Sequence, residues 1–292
     1  MPFPISRRSA LCAAATGAMA TAASAAFARE AAPLSPRKSV MFTMLPQALS
    51  LQDRFRLARR VGFDGVEAPP VDDEAQAEAM RSAAESAGIP IQSVIYGGWE
   101  APLSSADTSV VAAGLRSAAA ALRSAKWMGA RDILLVPAIV DEQTRYIEAW
   151  TRSQKHVRSL IPLAEELDIM ICIEEVWNDF LLSPLEFAHY IDSFHHPLIR
   201  AYFDVGNVLA FGYPQDWIRT LGKRIHNVHL KDYRRSTHQF VNLRDGDVNW
   251  PEVRKAFAEV GFHGYMNTEL PAGDEAYLRD VSQRVDLILA GR

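Results

Sequence analysis

Four segments in the second half of the chain each end a short β-branched or aromatic run with an acidic or imidazole side chain. The side chains are Glu174, Asp204, His229 and Glu269. Ionised carboxylates at the ends of buried strands repel one another unless a cation compensates them. Three carboxylates and one imidazole form a hard, oxygen-rich ligand set. We therefore expect these four residues to bind one divalent cation, with Mn²⁺ favoured and Mg²⁺, Co²⁺ or Fe²⁺ as alternatives.

The elements that position these residues alternate along the chain as strand and then helix, eight times. Such alternation indicates a parallel sheet joined by crossover helices. The predicted strands cover 39–45, 65–68, 91–96, 132–137, 169–174, 200–204, 225–230 and 265–270. The predicted helices cover 51–61, 74–87, 110–128, 142–167, 184–194, 214–221, 251–260 and 275–289.

Glycine and proline mark the boundaries of these units. Several predicted helices are followed by a glycine that can adopt the left-handed cap, and others begin at a proline. Eight units over 38–292 fit a single-domain (β/α)₈ TIM barrel of about 250 residues. An open doubly wound sheet is the alternative, but the glycine-rich dinucleotide turn often found there is absent. In a barrel, the four candidate ligands share the mouth at the carboxyl ends of the strands.

The first 28 residues have the pattern of a cleavable signal peptide. Arg7 and Arg8 precede a weakly apolar run rich in Ala, and residues 26–28 supply a small-x-small cleavage pattern. The paired arginines resemble a twin-arginine export signal. We therefore expect residues 1–28 to be removed, residues 29–37 to form a linker, and the mature protein to be periplasmic or otherwise exported.

Composition excludes several classes of partner. Removal of residues 1–28 leaves 29 basic and 35 acidic residues, a net charge of −6, which argues against nucleic acid as a ligand. It also leaves Cys172 as the one cysteine, so no intramolecular disulfide is possible. No run of about 20 apolar residues predicts a membrane span. A homo-oligomer or a partner subunit stays open.

As a set, five motifs resemble the sugar phosphate isomerase/epimerase family, the xylose isomerase-like barrels that include ketose 3-epimerases and hydroxypyruvate isomerases. The motifs are IEEVWN (173–178), FDVGN (203–207), VHLKD (228–232), GDVNW (246–250) and TEL (268–270). The resemblance implies that Glu174, Asp204, His229 and Glu269 are metal ligands. It also implies that Glu174 and Glu269 are the two acids that transfer the proton.

The resemblance extends to residues around this set. It implies that Arg235 and Lys231 help to bind the substrate and that Asp232 supports the ligands from behind. Two positions depart from the family pattern. Asn207 stands where many epimerases have a histidine, so it can donate to a substrate oxygen but cannot carry a proton. Glu175 stands where an asparagine is common.

The expected reaction is removal of a proton from the carbon beside a carbonyl, through an enediolate. Its return to the opposite face gives epimerisation, and its return to the neighbouring carbon gives isomerisation. Because phosphorylated sugars are mainly cytoplasmic, an exported enzyme is expected to act on a free sugar, a glycoside or an oxidised sugar. Trp177, and with it Trp99 and Tyr96, can stack on a pyranose ring or serve as ordinary core or rim aromatics. A 3-keto-glycoside lyase or hydratase is the nearest alternative, and a non-catalytic periplasmic sugar- or metal-binding barrel is an alternative of another class.

An abasic-site endonuclease is a further rival with the same barrel, but its mouth is rich in histidine and this chain has the wrong charge. Other titratable residues receive structural roles. Cys172 alternates with Glu174 and is expected to fill the barrel interior. His226 and His263 are expected to be structural, with His263 at the amino end of the last strand.

Overall fold

The computed structural model describes residues 36–292, so the predicted signal peptide and most of the predicted linker lie outside the described residues. Residues 36–292 form ten strands, and eight of them make a closed parallel barrel in the order β1-β10-β7-β6-β5-β4-β3-β2. The strands are β1 (Arg37–Met41), β2 (Gly65–Ala68), β3 (Ile91–Tyr96), β4 (Asp132–Leu135), β5 (Met170–Glu174), β6 (Ile199–Asp204), β7 (Ile225–Leu230), β8 (Asp232–Arg234), β9 (Gln239–Val241) and β10 (Tyr265–Thr268). The predicted (β/α)₈ barrel is therefore confirmed.

Seven helices of the described chain lie between consecutive barrel strands, as crossover connections require, and an eighth follows the last strand. They are α1 (Leu51–Arg60), α2 (Glu74–Ser86), α3 (Thr108–Met128), α4 (Tyr146–Leu167), α5 (Pro184–Asp192), α6 (Pro214–Leu221), α7 (Trp250–Val260) and α8 (Glu275–Leu289). Within residues 36–292, none of these helices combines the length and the apolar character needed to cross a membrane.

Local sequence explains where the helices begin and end. Ser50 and Asp73 precede α1 and α2, and each side chain accepts a hydrogen bond from a first-turn N–H group. Gly129 and Gly261 follow α3 and α7 with φ of 78° and 68°, a left-handed conformation in which a Cβ atom would be strained. Each glycine turns the chain back toward the next strand.

The main apolar core lies between the barrel and its helices. Phe257 on α7 is fully buried, and its ring centroid lies 6.5 Å from that of Phe203 on β6 and 5.1 Å from that of Phe262. These rings bind the last crossover helix to the sheet. Because helix and sheet meet here by close packing, volume lost at this point leaves a cavity that the surroundings fill only in part.

The interior of the barrel contains a column of buried polar side chains instead of purely apolar layers. Tyr202 on β6 donates to Glu67 on β2 over 2.7 Å, and Asn227 on β7 donates to Gln92 on β3 over 2.9 Å. Neither pair of strands is adjacent in the sheet, so both bonds cross the interior. Buried polar groups are tolerated when they are hydrogen-bonded, and these pairs satisfy one another.

One element was not predicted from the sequence. The chain between β7 and α7 forms an antiparallel hairpin of β8 and β9, in which Tyr233 pairs with Phe240. Its strands have three residues each and no sustained alternation, so periodicity does not reveal them. The hairpin brings Phe240 to the mouth of the barrel, where the side chain is 43% exposed.

We predict that Phe257→Ala destabilises the fold by about 3–5 kcal/mol, because the substitution leaves a cavity between α7 and β6. Urea unfolding should show a lower midpoint at an unchanged m value. The matched control is Phe211→Ala, whose side chain is 47% exposed and whose loss should cost within about 0.5 kcal/mol. Equal losses in the two variants would contradict this account of the core.

Candidate active site

The four predicted side chains meet at the carboxyl ends of β5, β6, β7 and β10. One ligand atom from each of Glu174, Asp204, His229 and Glu269 lies within 4.8 Å of the other three. His229 Nδ1 is 2.7 Å from Glu174 Oε1, 2.9 Å from Glu269 Oε2 and 3.9 Å from Asp204 Oδ2. These distances bring four residues that are up to 95 positions apart in the sequence into a group that can bind a single ion.

The backbone that follows β6 orients the carboxylate of Asp204 toward the cluster. Its Oδ1 accepts from the N–H groups of Gly206 at 2.7 Å and Asn207 at 2.8 Å, and the N–H of Asp204 donates to Glu175 Oε1 at 2.9 Å. With one oxygen held by the following turn, Oδ2 is left to face the cluster. Glu175, which departs from the family pattern, therefore helps to position Asp204.

His229 is held from behind by a residue that sequence reasoning missed. Its Nε2 lies 2.9 Å from Glu67 Oε2 on β2, and that carboxylate also accepts from Asn267 Nδ2 at 2.6 Å and from the Tyr202 hydroxyl. All of these side chains are buried. A carboxylate on Nε2 favours a proton there, so Nδ1 would offer its lone pair to a cation bound by the cluster. Without a cation, burial lowers the pKa of His229, but the surrounding carboxylates outweigh it and raise that pKa well above its ordinary value, so the ring is positively charged.

Two buried carboxylate oxygens in the cluster lack a hydrogen-bond donor within the described residues, Asp204 Oδ2 and Glu269 Oε2. Lys231 Nζ lies 3.0 Å and 2.8 Å from them, so its single positive charge is shared between the two carboxylates. Buried carboxylates without donors are costly. The residues present therefore fit a divalent cation, which would accept these oxygens as ligands.

The two glutamates experience different environments. Burial raises the pKa of Glu174 to about 7, although the positive charge of His229 opposes this rise. Burial acts in the same direction on Glu269, but His229 and Lys231 together outweigh it, so the pKa of Glu269 is lowered. Two carboxyl groups whose pKa values are pushed apart are suited to opposite roles in proton transfer.

A cavity of about 220 Å³ opens directly over the cluster. Its lining includes Glu174, Glu269, Asn207 and Lys231, together with the indoles of Trp99 and Trp177. Both indoles are about half exposed, and Trp177 stacks on Phe240 with 4.9 Å between ring centroids. Three of the four residues predicted to bind substrate, Asn207, Lys231 and Trp177, thus face this space.

The structure places Arg235, the fourth residue predicted to bind substrate, away from this space. Its guanidinium donates to the carbonyl oxygens of Leu209 at 2.9 Å and Gly212 at 2.6 Å and stacks over the ring of Tyr213. It does not line the cavity over the cluster. Because its N–H groups hold the backbone of the loop that follows β6, Arg235 affects the shape of the barrel mouth indirectly, by positioning that loop.

Asp232 also differs from the expectation, because its hydrogen bonds reach none of the four candidate ligands. Its carboxylate accepts from the N–H groups of Arg244 at 2.8 Å and Val248 at 3.2 Å and from Trp250 Nε1 at 2.9 Å. A Cβ atom at Gly246 would lie 2.1 Å from Asp232 Oδ1, so this approach requires glycine. The GDVNW motif therefore folds around Asp232 and holds the hairpin-bearing loop.

The residues that hydrogen-bond to the candidate ligands from behind are Glu67 and Glu175, and not Asp232. Glu67 lies in the middle of the apolar segment VEA (66–68), and a single acid inside a buried strand is a sequence feature that predicts a paired functional group. That feature was present in the sequence. Its partner His229 lies 162 residues away, and only the closed barrel brings the two together.

The chain is similar to known proteins in both sequence and fold. Residues 55–286 match the family described as Xylose isomerase-like TIM barrel. The L-ribulose-5-phosphate 3-epimerases UlaE of Salmonella paratyphi A and Salmonella typhimurium are each 26% identical over 258 residues, covering 81% of this chain and 90% of theirs.

Solved structures share the fold at lower sequence identity. D-psicose 3-epimerase in the presence of D-fructose superposes with a TM-score of 0.74 at 16% identity, over 88% of this chain and 100% of that one. The 3-keto-D-glucoside 4-epimerase YcjR of E. coli superposes with a TM-score of 0.72 at 13% identity, over 87% and 98%. The chain therefore belongs to the xylose isomerase-like TIM barrel family and, with relatives that are sugar epimerases, is an enzyme of the isomerase class.

Proposed function

We propose that this protein is a divalent-metal-dependent sugar isomerase or epimerase that removes a proton from the carbon beside a carbonyl. The observation that carries the proposal is the convergence of Glu174, Asp204, His229 and Glu269. Two of these residues, Asp204 and Glu269, each have a buried carboxylate oxygen without a hydrogen-bond donor among residues 36–292. A divalent cation bound by these four residues, for which Mn²⁺ is our choice, supplies a Lewis acid beside the carbonyl oxygen.

Glu269 is the base in this proposal and Glu174 the proton donor. Lys231 Nζ lies 2.8 Å from Glu269 Oε2 and stabilises that carboxylate in its ionised form, whereas no lysine or arginine among residues 36–292 forms an ion pair with Glu174. Glu269 takes the proton from carbon, and the electron pair of that C–H bond moves toward the carbonyl oxygen to form an enediolate. Delivery of a proton by Glu174 to the opposite face completes an epimerisation.

The mouth favours a substrate without a phosphate group. Of the cations near the cluster, Lys231 faces the oxygens of Asp204 and Glu269, and Arg235 donates to backbone carbonyls. Neither is left to bind a phosphate. The exposed indoles of Trp99 and Trp177 instead offer apolar faces on which a sugar ring can stack. We propose a free ketose or a keto-glycoside as the substrate.

A second cavity, of about 480 Å³, supports the second candidate, a 3-keto-glycoside lyase or hydratase. Lys231, Phe240 and Glu269 line both this cavity and the one over the cluster, and Tyr277 also lines this cavity. The added space can accommodate the aglycone of a glycoside. In this reaction the same proton abstraction is followed by loss of the group on the next carbon.

We predict that Glu174→Gln and Glu269→Gln each reduce the exchange of substrate hydrogen with solvent by at least about 100-fold, because each removes one proton carrier. The assay incubates Mn²⁺-loaded protein in D₂O with free ketoses and 3-keto-glycosides and follows deuterium incorporation by NMR. The matched control is Glu142→Gln, an exposed residue before α4 that should keep full exchange.

The products distinguish the candidates. Exchange without loss of a leaving group supports the isomerase or epimerase, and release of the aglycone supports the lyase. If the protein binds metal and sugar but catalyses no exchange of substrate hydrogen with solvent, it is a binding protein, and both enzymatic proposals are contradicted. Wild-type exchange in either glutamine variant would refute the assignment of proton carriers.

We predict that Glu67→Gln weakens Mn²⁺ affinity by about 10–100-fold, because the carboxylate behind His229 orients the imidazole and raises its basicity. Calorimetric Mn²⁺ titration measures the change, with circular dichroism to show that the variant folds. Glu166→Gln, an exposed change on α4, is the control and should bind Mn²⁺ normally. Unchanged affinity in Glu67→Gln would remove Glu67 from the metal-binding site.

We also propose that residues 1–28 direct export of the protein, on the pattern of Arg7, Arg8 and the cleavage motif at 26–28. The double substitution Arg7→Lys/Arg8→Lys should abolish the appearance of a shortened protein in the periplasmic fraction of a bacterial host. N-terminal sequencing identifies the cleavage point, and Arg29→Lys, just beyond it, is the control. Unimpaired processing of the double variant would exclude the twin-arginine route.

A further inference from the structure

The end of the barrel opposite to the active site contains a cavity of about 610 Å³. Residues at the beginnings of strands line it, among them Arg37 of β1, Asp132 of β4, Arg200 of β6 and His226 of β7. Parallel strands bring their amino ends to one rim, so residues that are distant in the sequence meet here as they do at the mouth. Neither the proposed reaction nor the family match gives this cavity a role.

The lining is strongly positive. Four cationic side chains surround the cavity, Arg37, Arg131, Arg200 and Lys223, and none of them has an ion-pair partner among residues 36–292. Neighbouring arginines on the outer surface do pair with acids, as Arg224 does with Asp192 at 2.5 Å. This cluster of uncompensated positive charge lies on a chain whose overall net charge is −4.

Two of the four cations are held in place. The guanidinium of Arg37 stacks on the ring of Tyr265, with its carbon 3.9 Å from the ring centroid. The guanidinium of Arg200 donates to the carbonyl oxygen of Lys223. Side chains that are already ordered lose less conformational entropy when a ligand binds.

The buried acid at the base of the cavity has hydrogen-bond donors of its own. Asp132 accepts from Ser93 Oγ at 2.6 Å and from Asn227 Nδ2 at 3.1 Å, and His226 Nε2 lies 3.3 Å away. These neighbours satisfy its carboxylate inside the barrel. The exposed cations around the rim therefore remain available to a ligand from solvent.

The same region contains three side chains that can ligate a metal, Asp132, Cys172 and His226, with atoms within 4.8 Å of one another. Two observations argue against a cation there. Four positive side chains surround the cavity and repel one. Both oxygens of Asp132 also accept hydrogen bonds already, Oδ1 from Ser93 Oγ and Oδ2 from Asn227 Nδ2. Cys172 instead packs in the barrel interior, as predicted.

We propose that this cavity binds a phosphate dianion, either inorganic phosphate or the phosphate group of a small ester. Guanidinium groups match the geometry of phosphate oxygens and bind them through paired hydrogen bonds. The cavity volume lies within the range of small-molecule sites, about 300–1,000 Å³. A second site at this end of the barrel would bind its ligand independently of the sugar.

The test is a calorimetric titration of the purified protein with inorganic phosphate and, separately, with ribose 5-phosphate and ribose. Saturable binding of one equivalent of phosphate is expected at low salt, with weaker binding as NaCl is added. Ribose at saturating concentration should leave the affinity for phosphate unchanged, because it lacks the group that this cavity binds. If only ribose 5-phosphate binds, the ligand is a phosphate ester and free phosphate is excluded as the source of the dianion.

The double variant Arg131→Gln/Lys223→Gln should weaken phosphate binding by at least about tenfold, since both side chains are exposed and removable without disturbing the core. Arg116→Gln/Arg123→Gln, on the outer face of α3, removes the same charge elsewhere and should leave binding unchanged. The proposal is overturned if phosphate and its esters fail to bind, or if both double variants lose affinity equally.

A last arm tests the metal alternative directly. Co²⁺ bound by a cysteine thiolate gives a near-ultraviolet charge-transfer band, and Cys172 is the one cysteine in the described part of the chain. We expect no such band in the wild-type protein. A band that disappears in Cys172→Ser would overturn the anion proposal in favour of a metal site, and this result does not depend on the activity at the mouth.

Discussion

Repulsion between buried carboxylates is the constraint on which this structure depends. Three acids surround one imidazole at the barrel mouth, and two more, Glu67 and Glu175, stand directly behind them. Such a concentration of negative charge is unstable in a protein interior unless positive charge compensates it. His229 and Lys231 provide part of that charge, yet three carboxylate oxygens, one each from Asp204, Glu269 and Glu175, still lack a hydrogen-bond donor among residues 36–292. The arrangement is therefore best explained as a cation-binding site.

The barrel makes this concentration possible because its interior is polar where the site needs support. Glu67 connects His229 to Tyr202 and Asn267, which carry the hydrogen-bond network below the mouth. The loops above the mouth are held by separate interactions. Asp232 organises the segment after β7, and Arg235 ties that segment to the loop after β6. Residues inside the barrel thus orient the candidate ligands, and the loops after β6 and β7 determine the shape of the cavity.

The two ends of the barrel differ in charge. Carboxylates dominate the mouth, and arginine and lysine dominate the cavity at the opposite end. Interior amides and hydroxyls separate the two regions, among them Gln92 and Asn227. Such a separation lets one closed sheet present two chemically distinct surfaces, since both rims collect side chains from strands that are far apart in the sequence.

The sequence by itself determined the barrel and the convergence of the four candidate ligands, because strand and helix periods, glycine caps and acids at strand ends are all local features. Eight predicted strands agree with the structure to within four residues at their ends. Tertiary structure alone decided what depends on distant pairs. It placed Glu67 behind His229, turned Arg235 toward carbonyl groups, enclosed Asp232 in the GDVNW loop and formed the hairpin carrying Phe240. No local pattern encodes these contacts, since they form only when the barrel closes.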